Sequence, residues 1–476
     1  MSVISRLTES PSPIPDKSPR AAALLQRYDQ PGPRYTSYPT AIEFADTFDD
    51  CAYRGRLQAA AAIEDEPLSL YVHLPFCEAR CLYCGCMTII TSKREVAARY
   101  LQYLEREVEM LAERLQGRRT VVQHHWGGGT PTYLSVAEIE RLHGTIARHF
   151  DIHPDAETAI EIDPRVTSRE QLRLLRDLGF NRLSMGVQDF TPEVQDAIGR
   201  HQAEALTRDL YEYARSIGFG AVNVDLIYGL PRQNIQTFAR TLSAVTAMRP
   251  DRIAVYSYAH VPWLRPHQTR INESELPRRD LKLELIGAAI DTFVGAGYMS
   301  IGMDHFALAN DELAVAARER RLHRNFMGYT TRPATDMVGV GLSAIGDVCG
   351  AFAQNVKKLP PYYAAIDRGQ FPIERGYVLS DDDCIRRYVI GELMCNFFLD
   401  RRAVGAKFGI EFDTYFAAEL QLLSGPDGPV ADGFVRLSPE GLAVTQEGRI
   451  FVRNICMHFD RYLPRHQGQP AFSRTI

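Results

Sequence analysis

The chain has 476 residues, 45% hydrophobic and 24% charged, with a formal net charge of −5. That length exceeds what one core usually holds, so two or three domains are expected. The slightly acidic balance gives no support for a nucleic-acid partner, and no apolar run approaches the roughly 18 residues of a membrane span.

Residues 1–17, MSVISRLTESPSPIPDK, lack the charged-then-apolar pattern of a secretory signal, and their Ser and Pro read as a disordered tail. Residues 1–66 are expected to form this tail and an extension, partly helical around Ala22–Tyr28. From about 68 to 260, short β-rich runs alternate with longer helical ones. The predicted strands are Leu68–His73, Val121–Trp126, Thr158–Ile162, Arg182–Gly186, Ala221–Ile227 and Arg252–Tyr258. Between them the helical period predicts Arg94–Leu115, Ser135–Phe150, Ser168–Leu178, Glu193–Ile217 and Asn234–Met248. Repeated strand–helix–strand units imply a parallel α/β sheet, and six units fit a partial (β/α)6 barrel spanning 67–349. Ligands of such sheets bind at the C-terminal strand ends. Residues 350–476 read as a mainly helical C-terminal domain: two helical runs, then short β-like pieces around Gly433, as in a winged helix. No basic helix face accompanies them, so a lid over the barrel mouth is preferred to a DNA-binding role.

The densest chemistry follows the first strand, in Cys77-Glu-Ala-Arg-Cys81-Leu-Tyr-Cys84-Gly-Cys86. Cys77, Cys81 and Cys84, spaced C-x3-C-x2-C, can hold three irons of a [4Fe–4S] cubane and leave the fourth open to the amino and carboxylate groups of S-adenosylmethionine. Iron–sulfur clusters reach potentials as low as roughly −700 mV, low enough to cleave a sulfonium. A structural zinc site would need a fourth ligand, commonly from a second cysteine pair, and no second pair follows. The other five of nine cysteines are scattered among apolar neighbours. Free thiols and an oxygen-sensitive cluster suit a reducing, cytoplasmic setting. Tyr83 could stack on an adenine or a sulfonium, or simply pack. The run Gly127-Gly128-Gly129-Thr130-Pro131 lets backbone approach a ligand closely; it lacks the Gly-Lys-Ser/Thr ending of a phosphate loop. Glu161, at a strand end, is placed for a ribose hydroxyl or an ammonium, since an in-sheet carboxylate without a partner is costly.

Further segments extend the pattern: Pro33-Arg-Tyr-Thr-Ser-Tyr-Pro-Thr40, Trp126-Gly-Gly-Gly-Thr-Pro131, Arg182-Leu-Ser-Met-Gly-Val-Gln-Asp-Phe190, Asp225-Leu-Ile-Tyr-Gly-Leu-Pro231, Gly302-Met-Asp-His-Phe306 and His323-Arg-Asn-Phe326. In this order, from about Ala22 to Ile476, they resemble the oxygen-independent coproporphyrinogen III oxidases (coproporphyrinogen dehydrogenases) of the radical S-adenosylmethionine superfamily. The resemblance implies anaerobic oxidative decarboxylation of coproporphyrinogen III to protoporphyrinogen IX by a 5′-deoxyadenosyl radical, in haem biosynthesis. It implies the same barrel, a monomer, an electron donor for the cluster, a separate acceptor, and two S-adenosylmethionine molecules. The first would meet Tyr71, Gly128, Glu161 and Ile345; the second Tyr83, Gly129, Thr130, Gln188, Arg200, Asp225 and Ala259. Cys86 is then not a ligand of the resting cluster. Met327 stands where Gln is expected and Met87 where Asn is expected; a thioether cannot supply an amide's donors. Four substrate propionates call for cations, of which Arg34 leads, then Arg232 and Arg324. Tyr35 and Tyr38 are candidates to pack on the tetrapyrrole face, and His305 and His323 are either ligand contacts or satisfied buried histidines. The alternatives are a radical enzyme acting on another tetrapyrrole and a haem-binding relative; the latter typically lacks the fourth cysteine and the Pro-Arg-Tyr-Thr-Ser-Tyr segment, both present here.

Overall fold

The structure, a computed structural model, describes residues 24, 26–63, 65–332, 336–466 and 472–475. The expected disordered tail and the start of the Ala22–Tyr28 helix lie outside the described residues. The sheet's strands in chain order are β1 (Leu68–Leu74), β2 (Thr120–Gly128), β3 (Asp151–Ile162), β4 (Arg182–Gln188), β5 (Ala221–Tyr228), β6 (Arg252–Ser257), β7 (Tyr298–Ile301), β8 (His305–Leu308), β9 (Asp336–Val340), β10 (Ile345–Val348), β11 (Ala351–Asn355) and β12 (Ile373–Val378). They lie in the order β12-β11-β10-β9-β1-β2-β3-β4-β5-β6-β8-β7. β1 to β6 run parallel as the six expected units, joined by helices.

The helices follow from local chemistry. Ser135, Ser168 and Asn234 each cap the helix that follows, and Glu138, Gln171 and Thr237 return the bond in capping boxes. In Arg94–Leu115, Leu101, Leu104, Val108, Leu111 and Leu115 recur at three- and four-residue spacing and are all buried on the sheet. The helix expected over Glu193–Ile217 is two helices, Pro192–Ile198 and Glu204–Ser216. Gly199 breaks it by taking the left-handed conformation at φ 64°, and the break turns Arg200 towards the barrel mouth.

Beyond the six units, β9 joins β1 in parallel, pairing Tyr71 with Gly339. Arg118 and Asp336, both fully buried, pair at 2.5 Å and tie β9 to the base of the barrel. Antiparallel β10, β11 and β12 extend that edge, while β8 and β7 extend the other. The sheet's hydrogen bonding thus runs across the expected boundary at 349, because β11 and β12 pair within it; a proposed division sits better near Ser380, the N-cap of helix Asp381–Asn396. From there the chain is mainly helical, with a small antiparallel sheet of Phe398–Asp400, Val435–Leu437 and Gly441–Val444. After that sheet a 3-10 turn at Arg449–Phe451 runs into a short helix, Val452–Met457. One core of this domain also buries Leu24, Tyr28, Tyr35 and Tyr38, so the N-terminal extension is packed onto it. Among the described residues no helix is long and apolar enough to cross a membrane.

Candidate active site

The C-terminal ends of β1 to β6 surround a cavity of about 460 Å³, within the range of small-molecule sites. Its wall includes Cys77, Cys81, Cys84 and Cys86, Tyr83, Gly128 to Thr130, Glu161, Gln188, Arg200 and Asp225. Residues from six separate segments therefore meet at one mouth.

The cysteine loop is held on both flanks. Phe76 and Cys77 pair as a short strand with Ile89 and Ile90. From the loop after β6, Gln268 Nε2 donates to Tyr83 O at 3.0 Å, Arg265 Nε donates to Gly85 O at 2.8 Å, and His267 Nε2 lies 2.8 Å from Cys84 O. Among the described residues, no three His, Cys, Asp or Glu side chains close on one point as a single ion requires. A cubane gives each thiolate its own iron, so its ligands need not converge in that way. The donors around the sulfurs suit thiolates: Arg165 Nη2 and Arg200 Nη1 lie 3.6 and 3.7 Å from Cys81 Sγ. Thr130 Oγ1 is 3.5 Å from Cys77 Sγ, and Cys86 N–H donates to Cys84 Sγ at 3.4 Å. The Cys86 thiol and N–H together bring Cys84 down to about 6. Burial pushes Cys77 the other way, to about 11. The donor set, the loop and the cavity fit a [4Fe–4S] group with three protein ligands.

Asp163, which the sequence reading did not single out, organises the cations. Its two oxygens bind Arg165 Nε at 3.0 Å and Nη2 at 2.7 Å, and Arg200 Nη1 at 3.0 Å and Nη2 at 3.2 Å. Burial alone would raise its pKa, but the two guanidinium groups outweigh it and hold the carboxyl below its ordinary value. Arg200 is 6% exposed, and its Nε has no partner among the described residues.

The glycine run lies against the cysteine loop. Gly129 N–H donates to Leu74 O at 2.9 Å and Thr130 N–H to Phe76 O at 2.8 Å. Gly128 takes φ 114°, and a Cβ there would sit 2.5 Å from the His73 ring. Its N–H donates to Glu161 Oε2 at 3.1 Å, and His125 Nε2 stands 3.4 Å from Glu161 Oε1. Against burial, these contacts hold Glu161 below its ordinary pKa. Glu161 thus presents a carboxylate to the cavity.

Tyr71 lies one layer behind this wall. Its O–H meets His73 Nδ1 at 3.0 Å, and His73 Nε2 is 3.1 Å from Met87 O. Since a carbonyl only accepts, Nε2 carries the proton and Nδ1 accepts from Tyr71; burial keeps the ring neutral. Met87 thus contributes its backbone, which makes its side-chain identity secondary. Ile345 begins β10, whose carbonyl lies beside Gly339, the register partner of Tyr71. Met327 sits in the turn between His323–Asn325 and Gly328–Thr330, its N–H on Asn325 Oδ1 at 2.9 Å. Neither methionine lines the cavity.

Asp225 receives Ser184 Oγ at 2.8 Å and Asn223 Nδ2 at 2.8 Å. Burial lifts it to about 6 despite these bonds. Between pH 3.8 and about 6 the folded chain keeps a proton that the unfolded chain has released. Its stabilising contribution is complete below the ordinary value and is lost as pH rises through about 6. In the cofactor-free chain, Asp225→Asn should therefore flatten the fall in melting temperature over that window. Melting curves of both forms across it provide the check.

The remaining expected residues are dispersed. Ala259 and Arg34 line a second cavity beside β6. Tyr35 and Arg324 line a third, between the N-terminal segment and the C-terminal domain. Tyr35 is buried, with its O–H on Asp460 Oδ2 at 3.0 Å, and Tyr38 is buried with it. Arg324 Nη1 donates to Arg34 O at 2.9 Å. His305 is partnered by Asp304 at 2.7 Å, whereas His323 is exposed. Arg232 is not brought to any of these cavities; it forms an exposed ion pair with Glu275 at 2.7 Å. Arg232→Ala should leave KM and the melting temperature unchanged, which steady-state kinetics and a thermal scan would register.

Comparison with known proteins identifies the family to which this fold belongs. The Radical SAM superfamily profile matches residues 71–245. Relatives described as oxygen-independent coproporphyrinogen III oxidase are 50% identical over 455 residues in Salmonella typhimurium and 48% identical over 455 residues in Escherichia coli K12. Each alignment covers 95% of this chain and 98% of the relative. The solved structure of coproporphyrinogen III oxidase from Escherichia coli, described as a radical SAM enzyme, superimposes with a TM-score of 0.87 at 47% identity, covering 93% of this chain and 98% of that one. The chain therefore belongs to the oxygen-independent coproporphyrinogen III oxidase family.

Proposed function

We propose that the chain converts coproporphyrinogen III to protoporphyrinogen IX without oxygen, oxidatively decarboxylating two propionates to vinyl groups. The observation that carries this reading is that Cys77, Cys81, Cys84, Gly128, Glu161 and Asp225 line one cavity of about 460 Å³, in a chain half identical to enzymes of that name. When bound, the cluster and S-adenosylmethionine supply the 5′-deoxyadenosyl radical that takes a hydrogen atom from a propionate β-carbon.

The residues do the positioning. Cys77, Cys81 and Cys84 would ligate three irons, with Arg165, Arg200 and Thr130 donating to their sulfurs. Glu161 offers a carboxylate to the ammonium or ribose of one S-adenosylmethionine, backed by Tyr71, Gly128 and Ile345. Tyr83, Gly129, Thr130, Gln188, Arg200, Asp225 and Ala259 are assigned to a second. The loop after β6 and the C-terminal domain would exclude water, which protects a radical from quenching. A donor of electrons to the cluster and a separate acceptor are required partners, and a cytoplasmic monomer suits the free thiols.

The test is anaerobic reconstitution with iron and sulfide, followed by reduction in the presence of S-adenosylmethionine. Four irons per chain and release of methionine with 5′-deoxyadenosine are expected. An intact chain that assembles a cluster yet releases neither product would refute the reading.

A further inference from the structure

The second cavity has a composition unlike the first. It measures about 430 Å³, and its described lining includes Arg34, Lys282, Arg453 and Arg474 but no Asp or Glu. Trp263 and Phe472 add aromatic surface to it. It shares a wall with the principal cavity: Tyr256 lines the first, Ser257 and Ala259 the second. The Arg34 guanidinium lies 5.7 Å from the centre of the Tyr256 ring.

The four cations are not equivalent. Arg453 is 6% exposed and donates to backbone carbonyls, those of Pro33 at 2.9 Å, Arg474 at 3.3 Å, Thr475 at 3.2 Å and Gly32. It therefore holds the Pro31–Arg34 segment and the end of the chain side by side, while its hydrogen bonds bring no carboxylate to its charge. Arg34 and Arg474 are ion-paired with the buried carboxylates of Asp304 and Asp29, and the Lys282 ammonium lies 5.8 Å from the centre of the Tyr228 ring. Burial, reinforced by neighbouring arginines, lowers Lys282 to about 8 and Arg453 to about 9. A concave wall that carries four cationic side chains, and no Asp or Glu among its described residues, favours a polycarboxylate.

Resting on the tetrapyrrole reading above, the geometry points to this second cavity as the anchor for the substrate propionates that are not reacting. Lys282 and Arg474 join Arg34 as carboxylate-binding residues, and Arg453 is the positioning residue that sets the other two segments. While one propionate enters the principal cavity, others are held across the Tyr256 wall. Remote binding energy then orients the reacting β-carbon.

The test uses the full, cluster-loaded chain and coproporphyrin III, the air-stable tetracarboxylate, followed by fluorescence quenching. Lys282→Met should raise its Kd by about tenfold, the usual scale for a lost charged hydrogen bond. Lys282→Arg should restore binding, the tetramethyl ester should not distinguish the variants, and S-adenosylmethionine affinity should be unchanged. Arg474→Gln gives an independent second reading with the same expected direction. Wild-type affinity in both Lys282→Met and Arg474→Gln, while the wild-type chain converts coproporphyrinogen III, would overturn this inference alone. A wild-type chain that neither binds coproporphyrin III nor converts coproporphyrinogen III overturns the functional reading, and this inference with it.

Discussion

Asp163→Asn is expected to unfold the chain at a markedly lower temperature and to strip iron from the site. Asp163 is the shared carboxylate of two guanidinium groups, at 2.7 Å from Arg165 and 3.0 Å from Arg200. Side-chain exposures of 21%, 11% and 6% for Arg165, Asp163 and Arg200 put all three largely out of water. Removing one partner of a buried ion pair costs about 3–5 kcal/mol, because the remaining charge stays buried. The same arginines donate to Cys81 Sγ, so losing their alignment also weakens the thiolate's environment. Outer contacts of this kind are worth about 10–100-fold in metal affinity. Thermal scans and iron analysis of the reconstituted variant measure both effects. A lower melting temperature with full iron and an unaltered cluster spectrum would separate Asp163 from the cluster and contradict this account.

Gly129→Ala should be nearly as damaging, for a steric reason. A Cβ at this position would lie 2.6 Å from Pro75 C, 2.7 Å from Pro75 O and 2.8 Å from Phe76 O. Those atoms are backbone immediately before Cys77, so they cannot rotate away as a side chain would. Overpacking of this kind costs about 1–3 kcal/mol, and here the displacement falls on the first cluster ligand. S-adenosylmethionine affinity should drop by about tenfold or more, equivalent to about 1.4 kcal/mol. Gly85→Ala is the control: it lies in the same loop between Cys84 and Cys86, and its Cβ would meet nothing within 4 Å. Equal S-adenosylmethionine affinity in the two variants, by calorimetry, would show that the glycine run does not set the site.

The contrast between these two glycines is a case of what the sequence could not express. The run Gly127 to Gly129 was legible as a close approach, but not that Pro75 and Phe76 are what it approaches. The parallel strands were legible because strands buried on both faces read as apolar runs with helical stretches between them. β3 begins earlier than expected, at Asp151, where four of the first five residues are exposed and Pro154 interrupts the run. β9 is a short apolar run interrupted by Gly339, and its pairing with β1 was not legible because that partner is far away in the chain. Gly199 marked the helix break, yet the 3.6-residue period continued on both sides and hid it. At the site, three cysteines within eight positions announced their chemistry, and Asp163-Pro-Arg165 lay in view two residues beyond Glu161. What could not be read was the return of Arg200 to that same carboxylate. Arg232 shows the converse: adjacency to a motif suggested a role, while its partner Glu275 comes from a distant loop.

The most direct test of the central claim is an anaerobic turnover measurement on the reconstituted full chain. It is supplied with reductant, S-adenosylmethionine, coproporphyrinogen III and a cell extract as electron acceptor, and products are quantified by mass spectrometry. The account predicts protoporphyrinogen IX, with two methionines and two 5′-deoxyadenosines released per molecule formed. Cleavage of S-adenosylmethionine with the coproporphyrinogen mass unchanged would contradict it.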